Sequence, residues 1–109
     1  MDALSSPELN IVLHQPVRTR IVAYLAARGE ATFNELKQAL DITDGNLDSH
    51  MKKLVSAEYI KTEKQAVSKG KQQTLYSLTE AGSQEFEQYV EALKRLLSPQ
   101  FIQTSIKEK

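Results

Sequence analysis

Residues 31–60 read ATFNELKQALDITDGNLDSHMKKLVSAEYI, and how this stretch folds decides the rest of the chain. Thr32 and Glu35 have the spacing of a capping box, in which each side chain satisfies a backbone N–H left free at a helix start. Leu36 and Leu40 follow four residues apart and fall on one buried face of a short helix. Asp41-Ile42-Thr43-Asp44 then breaks the pattern, a link short enough to require a helix–turn–helix. Asp41 stands where such a turn wants a left-handed backbone, which glycine adopts best and aspartate tolerates. Ile42 plugs the turn into the core, and Thr43 caps the second helix. That helix buries Leu47, Met51, Leu54 and Val55. At about 100° per residue, its opposite face carries Gly45, Asn46, Ser49, Lys52 and Lys53. Such a face suits a DNA groove, with asparagine reading a base edge and lysine holding phosphate. It equally describes the solvated side of an ordinary helical hairpin, so the flanking sequence has to decide.

Downstream of Ala57 the periodicity changes from helical to alternating. Residues 59–64 alternate imperfectly and residues 73–79 alternate well, with Leu75, Tyr76 and Leu78 as strand formers. Between them residues 65–72, QAVSKGKQ, are polar with a central glycine. The expectation is a β-hairpin whose loop carries Lys69, Gly70 and Lys71. Lysines there are often merely solvated, or protect an exposed edge from pairing. Directly after a helix–turn–helix, however, a basic hairpin reads as a wing that grips backbone or minor groove beside the second helix. Thr79 then caps a long helix over residues 80–97. Its apolar stripe, Phe86, Tyr89, Val90, Leu93, Leu96 and Leu97, is longer than so small a domain needs to cover. The stripe could pack wholly on its own chain; the reading adopted is that much of it forms a dimer interface. Pro99 interrupts the helix, and Phe101 in the tail joins the same interface.

Upstream, Ser6-Pro7 reads as an N-cap followed by proline in the first turn, starting a short helix over residues 7–14. Leu9, Ile11, Val12 and Leu13 would lie on more than one side of it, so it must be covered by the body or by a partner. Leu9, Val12 and Leu13 are therefore assigned to the dimer interface. Gln15-Pro16 breaks this helix. The next, over residues 17–28, buries Val17, Ile21, Val22, Tyr24, Leu25 and Ala26, and Gly29 ends it as a left-handed C-cap. Arg18 and Arg20 read as solvated. Residues 31–32 add a brief extended stretch.

The 109 residues are 40% hydrophobic, which suits one domain able to bury a core and inclined to oligomerise. No apolar run approaches the roughly 20 residues a membrane span needs, and the N-terminus lacks a signal-peptide pattern. A soluble, cytoplasmic protein is expected. The absence of cysteine removes disulfides, thiolate metal sites and thiol redox chemistry. Formal net charge is zero, but its distribution is uneven. Residues 1–49 carry four basic and seven acidic groups, residues 50–79 six lysines and two glutamates, and residues 80–109 four basic and five acidic groups. The positive excess falls on the second hairpin helix and the wing, where a DNA surface would need it. Catalysis is not expected. There are two histidines, on different helices, and neither a glycine-rich phosphate loop nor a metal-spaced ligand set. Accordingly no cofactor and no metal are assigned.

Three strings, Pro16-Val17-Arg18-Thr19-Arg20-Ile21, Leu40-Asp41-Ile42-Thr43-Asp44-Gly45-Asn46-Leu47-Asp48-Ser49-His50-Met51 and Tyr76-Ser77-Leu78-Thr79-Glu80-Ala81-Gly82, resemble the winged-helix transcriptional regulators of the MarR and ArsR type. The middle string is most similar to small MarR-like regulators that consist of little more than this domain. The likeness covers residues 9–97. It implies an α+β fold, mainly α with a small β-hairpin: a winged helix-turn-helix with N- and C-terminal dimerisation helices. Residues 16–79 would be the DNA-binding core, and 5–14 and 80–109 the dimerisation elements. It further implies a homodimer placing paired recognition helices in successive major grooves of a roughly palindromic operator on double-stranded DNA. Carried over by position, Thr43, Gly45, Asn46, Ser49 and Lys53 lie near DNA, joined by Lys52, with Lys69, Gly70 and Lys71 at the wing. His50 matches a histidine common in this pattern, but it borders the core, and a packed or helix-bridging role is the better reading. Two departures concern geometry: Asp41 replaces the usual turn glycine, and Glu58 stands where a glycine normally closes the recognition helix. MarR-type relatives often respond to small apolar or phenolic effectors near the dimer interface, while ArsR-type metal sensing mostly uses thiolates, which this chain lacks. No effector is assigned. The other class open to the fold is a winged helix used for protein contact rather than DNA.

Overall fold

A short three-stranded sheet and four helices make up the computed structural model, which describes residues 8–98. Within them the order is α1 (Pro16–Arg28), β1 (Ala31–Thr32), α2 (Phe33–Leu40), α3 (Asp44–Ser56), β2 (Ile60–Ser68), β3 (Lys71–Leu78) and α4 (Glu80–Leu96). The sheet is antiparallel in the order β1-β3-β2. This is the α+β winged helix anticipated above.

Each helix starts at a polar side chain that satisfies its first free N–H groups. Gln15 accepts from the Arg18 N–H at 2.8 Å, ahead of Pro16 in the first turn. Thr32 and Glu35 close the full capping box. Thr43 accepts from the Asn46 N–H at 3.1 Å, and Thr79 from the Gly82 N–H at 2.9 Å. Caps of this kind contribute about 1 kcal/mol each. Between α2 and α3, Asp41 takes the left-handed backbone expected of it, with φ 56° and ψ 55°.

The exit from α3 settles the question raised by Glu58. Its φ is 65°, so a glutamate does here what glycine usually does. The Glu58 N–H bonds to the Val55 carbonyl at 2.9 Å and the Tyr59 N–H to the Leu54 carbonyl at 3.0 Å, the paired bonds of a Schellman ending. The first turn of α4 docks against this exit. Thr79 donates its hydroxyl to the Glu58 carbonyl at 2.6 Å, and its N–H reaches the Tyr59 carbonyl at 3.0 Å. Gly82 lies flush on the same carbonyl; a Cβ added there would collide with the Tyr59 oxygen.

The core joins Ile21, Val22 and Leu25 of α1 to Leu36 and Leu40 of α2, Leu47, Met51 and Leu54 of α3, and Ile60 of β2. Several expectations are corrected. Val55 is 40% exposed, because Leu47, Met51 and Leu54 already span the face of α3 that meets the body. Ala26 is exposed, and Tyr24 is only half-buried, with the Arg28 guanidinium 5.5 Å from its ring centroid. The expected N-terminal helix is, over the described residues 8–14, a single turn. Asn10 organises it, its Oδ1 accepting from the Val12 and Leu13 N–H groups; Ser6 and Pro7 lie outside the described residues. The wing also differs. Its strands run on through the polar segment, pairing Lys64 with Thr74, Gln65 with Gln73 and Ala66 with Gln72. A bulge at Val67 leaves only Lys69-Gly70 as the turn, with Gly70 at φ 70°. A backbone ladder needs no apolar alternation when both faces meet solvent, so the expected hairpin with its basic tip is present but its strands run beyond residues 64 and 73.

Candidate nucleic-acid interface

α3 is held to the body by Leu47, Met51 and Leu54, which turns the residues between them outward. Thr43, Gly45, Asn46, Ser49, Lys52 and Lys53 are all exposed. A Cβ at Gly45 would meet nothing within 4 Å, so the fold itself does not demand glycine there. Thr43 is occupied as the α3 cap. The side chains of Asn46, Ser49 and Lys53 make no hydrogen bond or ion pair with the described residues and stay available. Lys52 is engaged differently, 3.2 Å from Asp48 in an exposed i,i+4 pair that is easily given up. Asp44 pairs with Lys37 of α2 at 2.7 Å. The two aspartates therefore sit on the flank of α3 away from Asn46 and Lys53.

The wing extends this surface. Lys69 and Gly70 form its turn, and Lys71 opens β3 opposite Ser68. All six lysines of residues 50–79 are exposed, on α3 or along the hairpin. Two of them, Lys61 and Lys64, were absent from the sequence-based set. Alternation from the buried Ile60 puts Lys64 on the same hairpin face as Thr62 and Tyr76. On that face the Tyr76 hydroxyl is pushed up from its ordinary pKa, first by burial and then by the Asp48 carboxylate of α3. The phase counted from Ile60 is the signal that could have found Lys64.

The other flank of α3 meets α1. Arg18, expected to be solvated, donates Nε to the Val12 carbonyl at 2.6 Å and sets Nη1 3.1 Å from His50 Nδ1. Guanidinium can only donate, so Nδ1 is the acceptor and the imidazole proton resides on Nε2. Burial, then the charges of Arg18 and Lys53, hold the His50 pKa below its ordinary 6.5. The helix-bridging reading of His50 is the geometry found. Arg20, likewise expected to be solvated, donates to the Leu40 carbonyl at 3.1 Å and closes the end of α2.

The residues expected at a dimer interface separate into groups. Leu13 and Tyr89, 0% and 5% exposed, belong to the core of their own chain and are withdrawn from that assignment. The His14 ring lies 2.9 Å from the Tyr89 hydroxyl. Leu9, Val12, Phe86 and Leu93 pack partly against the same core, while Val90 and Leu96 are half-buried and Leu97 is 62% exposed. Phe86 and Val90 line a shallow groove on α4 with Ser83, Glu87, Glu91 and Lys94. Phe101 lies outside the described residues. Among the described residues, no three His, Asp or Glu side chains group as a metal site, and no helix is long and apolar enough to cross a membrane.

Known proteins share this arrangement. Residues 17–97 match the winged helix DNA-binding domain family. An uncharacterized protein of Methanocaldococcus jannaschii is 35% identical over 85 residues, 78% of this chain and 91% of that protein. The structure of a transcriptional regulator homologue from Pyrococcus horikoshii OT3 superposes with a TM-score of 0.73 at 33% identity, covering 81% of this chain and 86% of that one. A mutant of MarR from Escherichia coli, complexed with operator DNA, gives a TM-score of 0.60 at 22% identity over 82% of this chain and 59% of its own, a likeness of fold alone. With 81 of its residues inside the family match, the chain belongs to the winged helix DNA-binding domain family, which is not a family of enzymes.

Proposed function

We propose that this protein is a sequence-specific transcriptional regulator that binds a roughly palindromic operator as a homodimer. It acts in the cytoplasm, associated with the nucleoid when bound. Repression by occluding a promoter is the simplest mode. The observation that carries the reading is the placement of all six lysines of residues 50–79 in solvent along α3 and the wing, around an unengaged Asn46 and Ser49. In a protein of zero net charge, such segregation gives a local field that attracts phosphate. Asn46 reads a base edge in the major groove, where asparagine pairs well with adenine. Thr43, Gly45 and Ser49 line the approach, and Lys52 and Lys53 hold phosphates. Lys69, Gly70 and Lys71 at the wing tip, with Lys64 behind them, contact the neighbouring backbone. Dimerisation uses the Phe86–Val90 groove of α4 and the exposed Leu97. MarR, whose fold this chain shares, is itself seen on operator DNA, which supports the mode of binding.

The experiment is selection of duplexes from a random pool by the purified protein, with its mass in solution measured alongside. The expected product is an inverted repeat with half-sites about one helical turn apart, bound by two copies. A folded protein that enriches nothing at low salt would instead be a protein-interaction module.

A further inference from the structure

An unbroken run of hydrogen bonds connects α4 to α3. Glu85 Oε1 accepts from Asn10 Nδ2 at 2.9 Å. Asn10 Oδ1 accepts from the Val12 N–H at 2.9 Å. The Val12 carbonyl accepts from Arg18 Nε at 2.6 Å, and Arg18 Nη1 donates to His50 Nδ1 at 3.1 Å. Arg18 is the link that enters the recognition helix. Its rigid fork is fixed at one prong by a backbone carbonyl, so the other prong has a defined direction.

Polar ties hold the two ends of α3, the exposed Asp44–Lys37 pair at its start and the Thr79 bonds to the Glu58 and Tyr59 carbonyls at its exit; along its middle the remaining attachments to the body are apolar: Leu47, Met51 and Leu54. Apolar contact is non-directional and limits the distance of a helix from the body more than its roll about its own axis. Side chains lie about 5–6 Å from that axis, so a roll of about 20° moves a groove-facing group by roughly 2 Å. A base contact does not survive such a shift, whereas long lysines follow their phosphates. His50 stands three residues on from Leu47, at the edge of the buried stripe, where a directional bond resists roll. Asn46 and Lys53 lie on this same flank.

We propose that Arg18 is a positioning residue for the recognition helix: through His50 it fixes the roll of α3 and so sets affinity for the specific site without touching DNA. This rests on the DNA-binding function proposed above. The test compares wild type, Arg18→Lys, Arg18→Gln, His50→Asn and His50→Phe on the duplex that wild type selects and on a random duplex, at several salt concentrations, with thermal unfolding recorded for each. Arg18→Lys keeps the charge, but an ammonium cannot reproduce the fork between Val12 and His50. It is expected to weaken selected-duplex binding about tenfold, roughly 1.4 kcal/mol, and to leave random-duplex binding and its salt dependence unchanged. Arg18→Gln and His50→Phe should lose the same preference. His50→Asn, whose Oδ1 can accept in place of Nδ1, should retain it.

Wild-type preference in Arg18→Lys would overturn the proposal. So would a parallel loss on both duplexes with a shallower salt slope in Arg18→Gln, which is the signature of an ordinary phosphate contact. In either case the DNA-binding function stands. If wild type itself prefers no duplex, that function falls, and this role falls with it.

Discussion

Asn46 and Lys64 are both exposed, yet their removal should have different consequences. Asn46→Ala is expected to lower affinity for the selected duplex by about 1–3 kcal/mol, the worth of a bidentate base contact, while affinity for random duplex holds. Lys64→Ala should weaken every duplex by a similar factor and reduce the slope of log affinity against log salt by about one. Titrations of both variants on both duplexes at three salt concentrations check this; uniform loss with Asn46→Ala would end its base-reading role. Gly82 is a residue of another kind, fixed by contact rather than by chemistry. Its flush approach to the Tyr59 carbonyl leaves no room for a methyl group, and overpacking costs about 1–3 kcal/mol. Gly82→Ala should therefore lower the melting temperature by roughly 5–20 °C, and an unchanged melt would contradict the close approach.

At the scale of elements, what the sequence disclosed depended on how local the cause was. The Thr32–Glu35 box, the Thr43 and Thr79 caps and the Asp41 turn each involve residues within a few positions of one another, and all were legible. The N-terminal turn was not. Asn10 shapes it while also reaching Tyr59 and Glu85, 49 and 75 residues along the chain, and nothing near residue 10 announces those partners. The wing was read too short because its outer strands rest on backbone pairing alone. Lys64 was missed with it. In α4 the apolar stripe was correctly located, but sequence could not divide it between own chain and partner. Tyr89 is buried and Leu93 partly so, while Val90 lies on the open groove. Val90→Glu is thus expected to halve the mass measured by light scattering while the chain still unfolds cooperatively. Leu93→Glu should unfold it instead. A persistent dimer in Val90→Glu would exclude the α4 groove as the interface.

For the molecule as a whole, His50 links stability to pH. The charged groups facing its ring are Arg18 from α1 and Lys53 from α3, and both disfavour a third positive charge, as does burial. The native imidazole therefore takes up a proton less readily than the unfolded chain does. Between the lowered native pKa and 6.5 the unfolded state holds more protons, so stability rises with pH across that window. The contribution is complete above 6.5 and is lost as the pH falls toward the native value. Denaturation in urea across this range should show the slope in wild type and a flatter profile in His50→Asn, where no proton is exchanged. An equal slope in both would assign it elsewhere.

The joint between α3 and α4 acts as a crank. Thr79 bonds to the Glu58 and Tyr59 carbonyls, and Gly82 lies against the Tyr59 carbonyl, so the exit of α3 is pinned to the start of α4 and the angle between the two axes is held. If two copies meet through α4, the pitch between their recognition helices is set by a rigid frame. Adding one base pair between half-sites turns the distant one by roughly 35° and moves it by about 3.4 Å. A jointed frame would absorb that change, and a welded one cannot. Operators lengthened or shortened by a single base pair should accordingly bind only as isolated half-sites, so that the spacer, which no side chain reads, becomes as strictly specified as the bases that are read.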